Sequence, residues 1–562
     1  MTKKYVLFCL ILYSYLQSIA QPYPKNDFVA PLNIPLYLAG VFGECRATHF
    51  HAGIDIKTNQ VEGLPIFSIG DGYVSRIKVS AFGYGNALYI THPNGYTSVY
   101  GHLQSFREDI ARYIKQKQYE QETFEIDICP LNHELKCKKG EQVAKSGNTG
   151  GSSGPHLHFE IRDSFENTIN PQLFGIKIID NIAPTVTGIA IYNQGKDRFN
   201  TVPIILSTKL KSTYFAPYKD TVLLNSDAIS FGLEAVDKMN NSTGNNGLYE
   251  VELKIDDISY YKFQMNKFHF DETRNVLAYI DQKIKNIFSR NFQRCYTLPN
   301  QYFTPQKNKN INRGIYYLND EACHLVTIYV KDFQQNTSLL KFYVKKDYAS
   351  TAYKNLSYPY LRVIYPNKDY SYEMGDVSMK IGTKALFDTT YINIQKTNSN
   401  SISDVYTIGK ATDDFMVPIE LGLRVKNIPS SLLDKVILLE KSSGTKNCGG
   451  IYENGFVVGK TKSFGLFSLA IDTTAPKITP INITPNKIMT KESAIKIAMA
   501  DNLSGIKYYD GFIDGHWVLF ENSGSVLRYK FDMPMTNTTH DLKLEVIDER
   551  SNKAIYNTKF IY

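Results

Sequence analysis

The chain has 562 residues, a formal charge of +8, and 43% hydrophobic against 21% charged residues. That length gives room for three or four domains, each able to bury a core, and the charge is mild for it: enough to favour an anionic polymer, and equally explained by a solvated surface. No Lys/Arg block is interleaved with aromatics, which argues against nucleic acid as a partner, and no stretch beyond the N-terminus reads as membrane-spanning.

Residues 1–20 read as an export leader. Lys3 and Lys4 form a positive start, Tyr5 to Leu16 is mostly apolar, and Ser18-Ile-Ala20 offers small residues for cleavage before Gln21. The apolar run is short of the roughly 20 residues that a membrane span needs. A retained N-terminal anchor is the alternative, while Cys9 lacks the small residue before it that a lipid anchor would want. The mature protein is expected to be exported, to the periplasm or cell envelope.

The next stretch is dense in metal-ligating residues. His51-Ala-Gly-Ile-Asp55 is followed a hundred residues later by His156-Leu-His158. A strand repeats every two residues, so His156 and His158 share a face, and so do His51 and Asp55, which would also align on a helix. The set supplies three ligands and one further imidazole. Two imidazoles and one carboxylate leave the fourth position of a tetrahedral zinc ion to water, the arrangement of a catalytic site. His49 alternates onto the face of His51 and is a further candidate, as ligand or as a donor behind one.

Hairpins are expected where Leu64–Ile69 and Tyr73–Val79 flank Asp71-Gly72, and where Leu88–Thr91 and Tyr96–Tyr100 flank Asn94-Gly95. The second would deliver His102 at its end, with His92 at a strand end near the turn. A helix is expected around Phe106–Tyr119, with Ile110, Tyr113 and Ile114 on one side, either walling a groove or simply covering the sheet. His133-Glu134 suggests a metalloprotease helix, but the position that needs the second histidine is Cys137, so that reading fails. The Gly/Ser run Ser146–Gly154 before His156 reads as a tight loop allowing close backbone approach to a peptide.

Six cysteines follow the leader: Cys45, Cys129, Cys137, Cys295, Cys323 and Cys448. None has CxxC spacing, and Cys129–Cys137 and Cys295–Cys323 are the candidate local disulfides for an oxidising compartment.

These motifs together resemble the lysostaphin/LytM-type zinc endopeptidases, which cut peptide bonds in bacterial cell walls. The carriers are Arg46-Ala-Thr-His-Phe-His51-Ala-Gly-Ile-Asp55, Gly63-Leu-Pro-Ile-Phe-Ser-Ile-Gly-Asp-Gly72, Gly83-Tyr-Gly-Asn86, Val99-Tyr-Gly-His102 and Ser146 through Glu160, in the family's order over about residues 40–175. The resemblance implies one zinc ion per chain held by His51, Asp55 and His158, with His102 and His156 as the catalytic imidazoles. Imidazole exchanges protons near pH 7, and sequence does not divide general base from oxyanion donor between these two. It also implies a mainly β, antiparallel LytM-type (duplicated hybrid motif) peptidase domain over 23–178. The segment before Gly43 is too short for a large inhibitory propeptide, though Asn26 or Asn33 from it could cap a metal.

After Pro171 the character changes. Asp180-Asn-Ile-Ala-Pro184 and Asp472-Thr-Thr-Ala-Pro476 are matching junctions, each opening an alternating apolar stretch. Three β modules are expected, at 184–346, 358–470 and 476–562, resembling bacterial immunoglobulin-like sandwiches. Their Asp/Asn clusters could bind calcium, with turn chemistry the better account. The many tyrosines could serve carbohydrate or partner binding, with core packing the default.

The expected function is a zinc endopeptidase acting on the peptide stems of peptidoglycan, its β modules positioning it or docking envelope protein partners. The alternatives are a non-catalytic wall-binding regulator or activator, and a zinc endopeptidase with a protein substrate. Such regulators lack ligands or catalytic histidines, and this chain keeps all five.

Overall fold

The computed structural model describes residues 23–195, 198–307, 312–355 and 360–562. The candidate leader, 1–20, lies outside the described residues. The protein is mainly β, and most of its strand pairs are antiparallel. No described helix is long and apolar enough to cross a membrane.

The N-terminal part contains β1 (Leu38–Gly40), β2 (Ile54–Lys57), β3 (Pro65–Phe67), β4 (Gly72–Val79), β5 (Ala87–Thr91), β6 (Thr97–Gly101) and β7 (Ser105–Phe106), then α1 (Glu108–Gln121). It continues with β8 (Ile126–Ile128), β9 (Lys136–Cys137), β10 (Gln142–Lys145), β11 (His156–Arg162) and β12 (Asn167–Ile169). Seven strands run in the order β1-β2-β11-β6-β5-β4-β8, and β3-β10-β7 form a small second sheet. The β5–β6 hairpin forms about Asn94-Gly95. The hairpin expected about Asp71-Gly72 does not, because β3 pairs with β10 in the other sheet. Val143 and Ala144 of β10 are buried there, so β3 gains more from that partner than from its sequence neighbour.

One face of the main sheet is apolar. Ile54, Ile56, Leu157, Phe159 and Ile161 are all fully buried on it, and this alternation of β2 and β11 turns Asp55, His158 and Glu160 to the opposite face. Helix α1 sets Ile110 and Ile114 against the core. Its last turn meets the C-terminal β sandwich, where Tyr119 donates to both oxygens of Asp532 at 3.0 Å and stands edge-on to Trp517.

The next module, beginning at Thr185, is not a separate bead. Its Lys267–His269 strand pairs with β12 and so extends the peptidase-side sheet, and one continuous apolar core runs from Leu32 to Val344. Phe50 stacks on Phe303 with ring centroids 4.6 Å apart, and its amide donates to the Thr273 carbonyl. Further on, two five-stranded sheets enclose Phe415, Leu421, Leu438 and Phe467, and sheets of four and five strands enclose Ile497, Phe520, Leu544 and Phe560.

All six described cysteines are free. Neither expected disulfide forms: Cys295 is buried in the core while Cys323 starts an exposed strand end, and Cys137 is buried under Arg107 while Cys129 faces solvent.

Candidate metal centre and active site

Three buried side chains meet at the edge where β2, β11 and β6 lie side by side. His158 stands opposite Asp55 on one flank and Gly101 on the other. His51 lies just before β2, in a loop and not on a strand, so its approach to Asp55 owes nothing to strand alternation. The chain can turn there because Gly53 rides against β11: a Cβ on it would fall 2.4 Å from the Phe159 carbonyl oxygen.

His51 Nε2, His158 Nδ1 and Asp55 Oδ1 form a triangle 3.0 Å on each side. A tetrahedral zinc with bonds of about 2.0–2.1 Å has ligand edges of roughly 3.4 Å, so the three donors are spaced for one small ion. Their lone pairs also face inward. His51 donates its Nδ1–H to the Val41 carbonyl at 2.8 Å, and His158 donates its Nε2–H to Glu160 at 2.9 Å. Each imidazole is thereby fixed in the tautomer that turns its other nitrogen to the centre. Burial acts to raise the Asp55 carboxyl, but the neighbouring imidazoles hold it well below the usual range. Burial acts to lower His158, and the Asp55 and Glu160 carboxylates raise it instead to about 9. The pocket therefore demands positive charge at its centre, as a metal-ligating set does.

A supporting layer lies behind the ligands. Glu160 is fully buried, accepts from His158, Tyr84 and Arg162, and has its carboxyl brought down to about 2, the Arg162 charge outweighing burial. Burial and the Glu160 charge push the Tyr84 phenol well up, so it stays a donor. Its ring also stacks on His158, centroids 4.7 Å apart. On the open side Arg46 donates to the second oxygen of Asp55 at 2.8 Å, leaving Oδ1 for the centre.

His102 and His156 complete the site. His102 follows β6 with φ of +57°, an uncommon backbone state for a non-glycine residue. It is held by its Nδ1–H to the Thr149 carbonyl at 2.8 Å, while Thr149 donates to Leu103 and accepts from the Asn86 amide. His156 donates its Nδ1–H to the Gly154 carbonyl at 2.8 Å. The two rings are 4.7 Å apart, and His156 Nε2 lies 3.5 Å from Asp55 Oδ1. Burial, then the neighbouring His158 and His156, lowers His102 to about 4. Gly85 and Gly150, both with positive φ, let two loops cross so closely that a Cβ on either would strike the other's backbone.

The structure thus brings His51, Asp55, His102, His156 and His158 together, and leaves four other residues singled out from the sequence outside that group. His49 points to solvent, because Phe50 takes the inward position beside it. His92 donates its Nδ1–H to the Asp71 carbonyl and hydrogen-bonds the Ser98 hydroxyl through Nε2, a buried structural role. The segment carrying Asn26 and Asn33 packs Tyr23 and Phe28 onto Phe174 and His92, so it is anchored away from the donor triangle. Sequence reasoning missed Tyr84, Arg46, Glu160 and Arg162. The last two were reachable, since they follow His158 at the two-residue period of β11; Tyr84 reaches Glu160 only through the tertiary fold.

Comparison with known proteins agrees with this geometry. Residues 49–119 and 127–171 match peptidase family M23, and residues 362–472 match a Zu5-like domain. An uncharacterized metalloprotease of Haemophilus influenzae is 34% identical over 111 residues, 20% of this chain and 18% of that protein. The DD-carboxypeptidase/endopeptidase Mpg of Neisseria meningitidis is 33% identical over 161 residues, covering 28% of this chain and 31% of its own. The peptidoglycan DD-endopeptidase ShyC of Vibrio cholerae is 32% identical over 127 residues, 23% of each. The matches span less than a third of these relatives' lengths. The segment that carries the donor triangle and both flanking imidazoles is thus the segment that matches peptidase family M23.

Proposed function

We propose that the protein is an exported zinc endopeptidase that hydrolyses peptide crosslinks of bacterial peptidoglycan. The observation that carries this reading is the inward convergence of three buried lone pairs, from His51, Asp55 and His158, beside two imidazoles whose Nδ1 atoms are already spent on backbone carbonyls. His51, Asp55 and His158 would hold the ion, and zinc so bound polarises a carbonyl and brings the pKa of water to about 7.

The chain's own residues supply the rest. His102 and His156 each present Nε2 to the side of the triangle left open by the three ligands. With its Nδ1–H spent on the Thr149 carbonyl, His102 has Nε2 left to accept a proton from water there. An imidazole that has taken a proton can stabilise the developing oxyanion or pass the proton to the departing amine. Fixed Nδ1 hydrogen bonds mean that neither ring must reorient during this exchange. Arg46 holds the second oxygen of Asp55 and Glu160 keeps the His158 tautomer, so both are positioning residues. The substrate assignment rests on the names of the relatives, and the compartment on the leader pattern of residues 1–20. A regulator that only binds the wall has no use for two imidazoles locked in this way.

Digestion of purified crosslinked peptidoglycan by the zinc-loaded mature protein, followed by mass spectrometry, tests the reading. Crosslinked dimers should disappear with the wild type and persist with His156→Ala. Persistence with both, at one bound equivalent of zinc, would refute peptidoglycan as the substrate and direct the search to a protein.

A further inference from the structure

A second set of buried carboxylates lies away from the donor triangle, at the seam between the peptidase domain and the module that follows. Asp180 sits in the connecting segment, Asp237 follows the Ala228–Val236 strand, and Asp332 follows the Cys323–Lys331 strand. All three are buried, and one oxygen from each lies within 4.8 Å of the others. Among the described residues no lysine or arginine forms an ion pair with any of them. Three carboxylates buried at this spacing repel one another and have left water, so the arrangement needs a proton or a cation.

An independent feature points to a cation. Asn246 is 4% exposed, yet neither its amide oxygen nor its amide nitrogen has a hydrogen-bond partner. Its backbone exchanges both hydrogen bonds with Asp237, at 2.9 and 3.1 Å. Directly opposed antiparallel residues point to the same side, so Asn246 is aimed where Asp237 is aimed. Asp237, 3% exposed, has its Oδ1 unpartnered, as does Asp180 its Oδ2. Buried polar atoms are rarely left orphaned in this number in one place.

The chain contains its own control. The Asp472, Asp501 and Asp548 carboxylates form a second trio on the same frame. In the first, Asn336 donates its backbone and side-chain N–H to Asp332 and reaches the Asp180 carbonyl at 3.3 Å; in the second, Asn552 does the same to Asp548 and to the Asp472 carbonyl at 3.0 Å. The position two residues after the last aspartate differs. In the second trio it is Arg550, whose guanidinium donates to the Asp434 and Gly450 carbonyls and lies close enough to feel the charges of Asp472 and Asp548, although Asp501 Oδ1 is itself without a partner. In the first it is the neutral Gln334, which instead crosses the seam to the Ile178 carbonyl and to Gln172. The same frame carries a guanidinium in one copy and none in the other.

We propose that Asp180, Asp237 and Asp332, with the Asn246 amide oxygen, form a calcium site that pins the peptidase domain to the following β module. The donors are all oxygen or amide oxygen, come from four separate segments, and leave positions for water, which suits the flexible six- to eight-fold shell of calcium better than the octahedron of magnesium. The position gives the site a consequence for catalysis. The small cavity lined by Asp237 and Asp332 is also lined by Val41, whose carbonyl fixes the His51 tautomer.

The test uses the mature protein stripped with EDTA, dialysed, and given back one equivalent of zinc, so it does not depend on the proposed peptidase activity. Isothermal titration with calcium chloride should show one more bound equivalent in the wild type than in Asp237→Asn, and Asp501→Asn should keep that equivalent. At a hundredfold excess over its dissociation constant, calcium should raise the first thermal transition of the wild type by roughly 5 °C. Asp237→Asn removes repulsion, so without calcium it should melt no lower than the wild type and show no rise. Equal calcium binding by the wild type and Asp237→Asn, or loss of the equivalent in Asp501→Asn alone, would overturn the proposal. A larger shift from magnesium than from calcium would overturn the choice of ion.

Discussion

The two faces of strand β11 use the same seven residues for opposite purposes. Leu157, Phe159 and Ile161 point into the core and are fully buried among aliphatic neighbours. His156, His158, Glu160 and Arg162 point the other way, and three of them are equally withdrawn from water. Burial alone therefore does not separate core from site. The difference is that the apolar face is held by non-directional packing, whereas every polar group opposite needs a specific partner: His158 needs Glu160, and Glu160 needs Arg162 and Tyr84.

Substitutions on the two faces should therefore separate function from stability. The largest functional loss is expected from His158→Ala, which removes one of the three proposed ligands; zinc content measured by mass spectrometry and peptidase activity should both vanish. His102→Ala should keep its zinc and lose about 10²- to 10⁴-fold in kcat, the range of a positioned acid–base group. Full turnover in that variant would remove His102 from the mechanism. Glu160→Gln should weaken zinc binding by about 10- to 100-fold and destabilise the fold by about 3 kcal/mol, because the buried Arg162 charge is left with only the largely exposed Glu166 as its ion-pair partner. Phe159→Ala should cost a similar 3–5 kcal/mol through the cavity it leaves, with zinc affinity of the folded fraction unchanged in a competitive chelator titration. If it changed zinc affinity as much as Glu160→Gln does, the two faces would not be separable. The smallest effect is expected from Tyr84→Phe, which removes one donor to Glu160, worth about 1 kcal/mol and a few-fold in zinc affinity.

The same comparison explains what could be read from the sequence. Two-residue periodicity in His156-Leu-His158 was enough to place both imidazoles on one face, and the Asn94-Gly95 hairpin was enough to deliver His102. The spacing of His51 and Asp55 was informative for a different reason from the one periodicity offers, since His51 sits in a loop and reaches Asp55 because Gly53 lets the backbone close on β11. Glu160 and Arg162 continue the readable pattern. Tyr84 and Arg46 do not, because their contacts depend on where loops land in three dimensions. The β3 pairing and the proposed disulfides failed for that same reason: local sequence offered a neighbour, and the tertiary fold supplied a different one. The shared core between the peptidase domain and the following module was also invisible locally, although it buries the Phe42 and Phe50 residues that precede His51. The acidic residues of the β modules, which read as turn formers, proved in one case to be buried without enough partners.

The most direct test of the central claim is a zinc titration of the chelator-stripped mature protein, with cleavage of a crosslinked peptidoglycan fragment followed at each addition. The account expects no cleavage at the start, a linear rise, and saturation at one equivalent. Cleavage that persists without metal, or a protein that binds one equivalent and remains inert with both imidazoles intact, would contradict it.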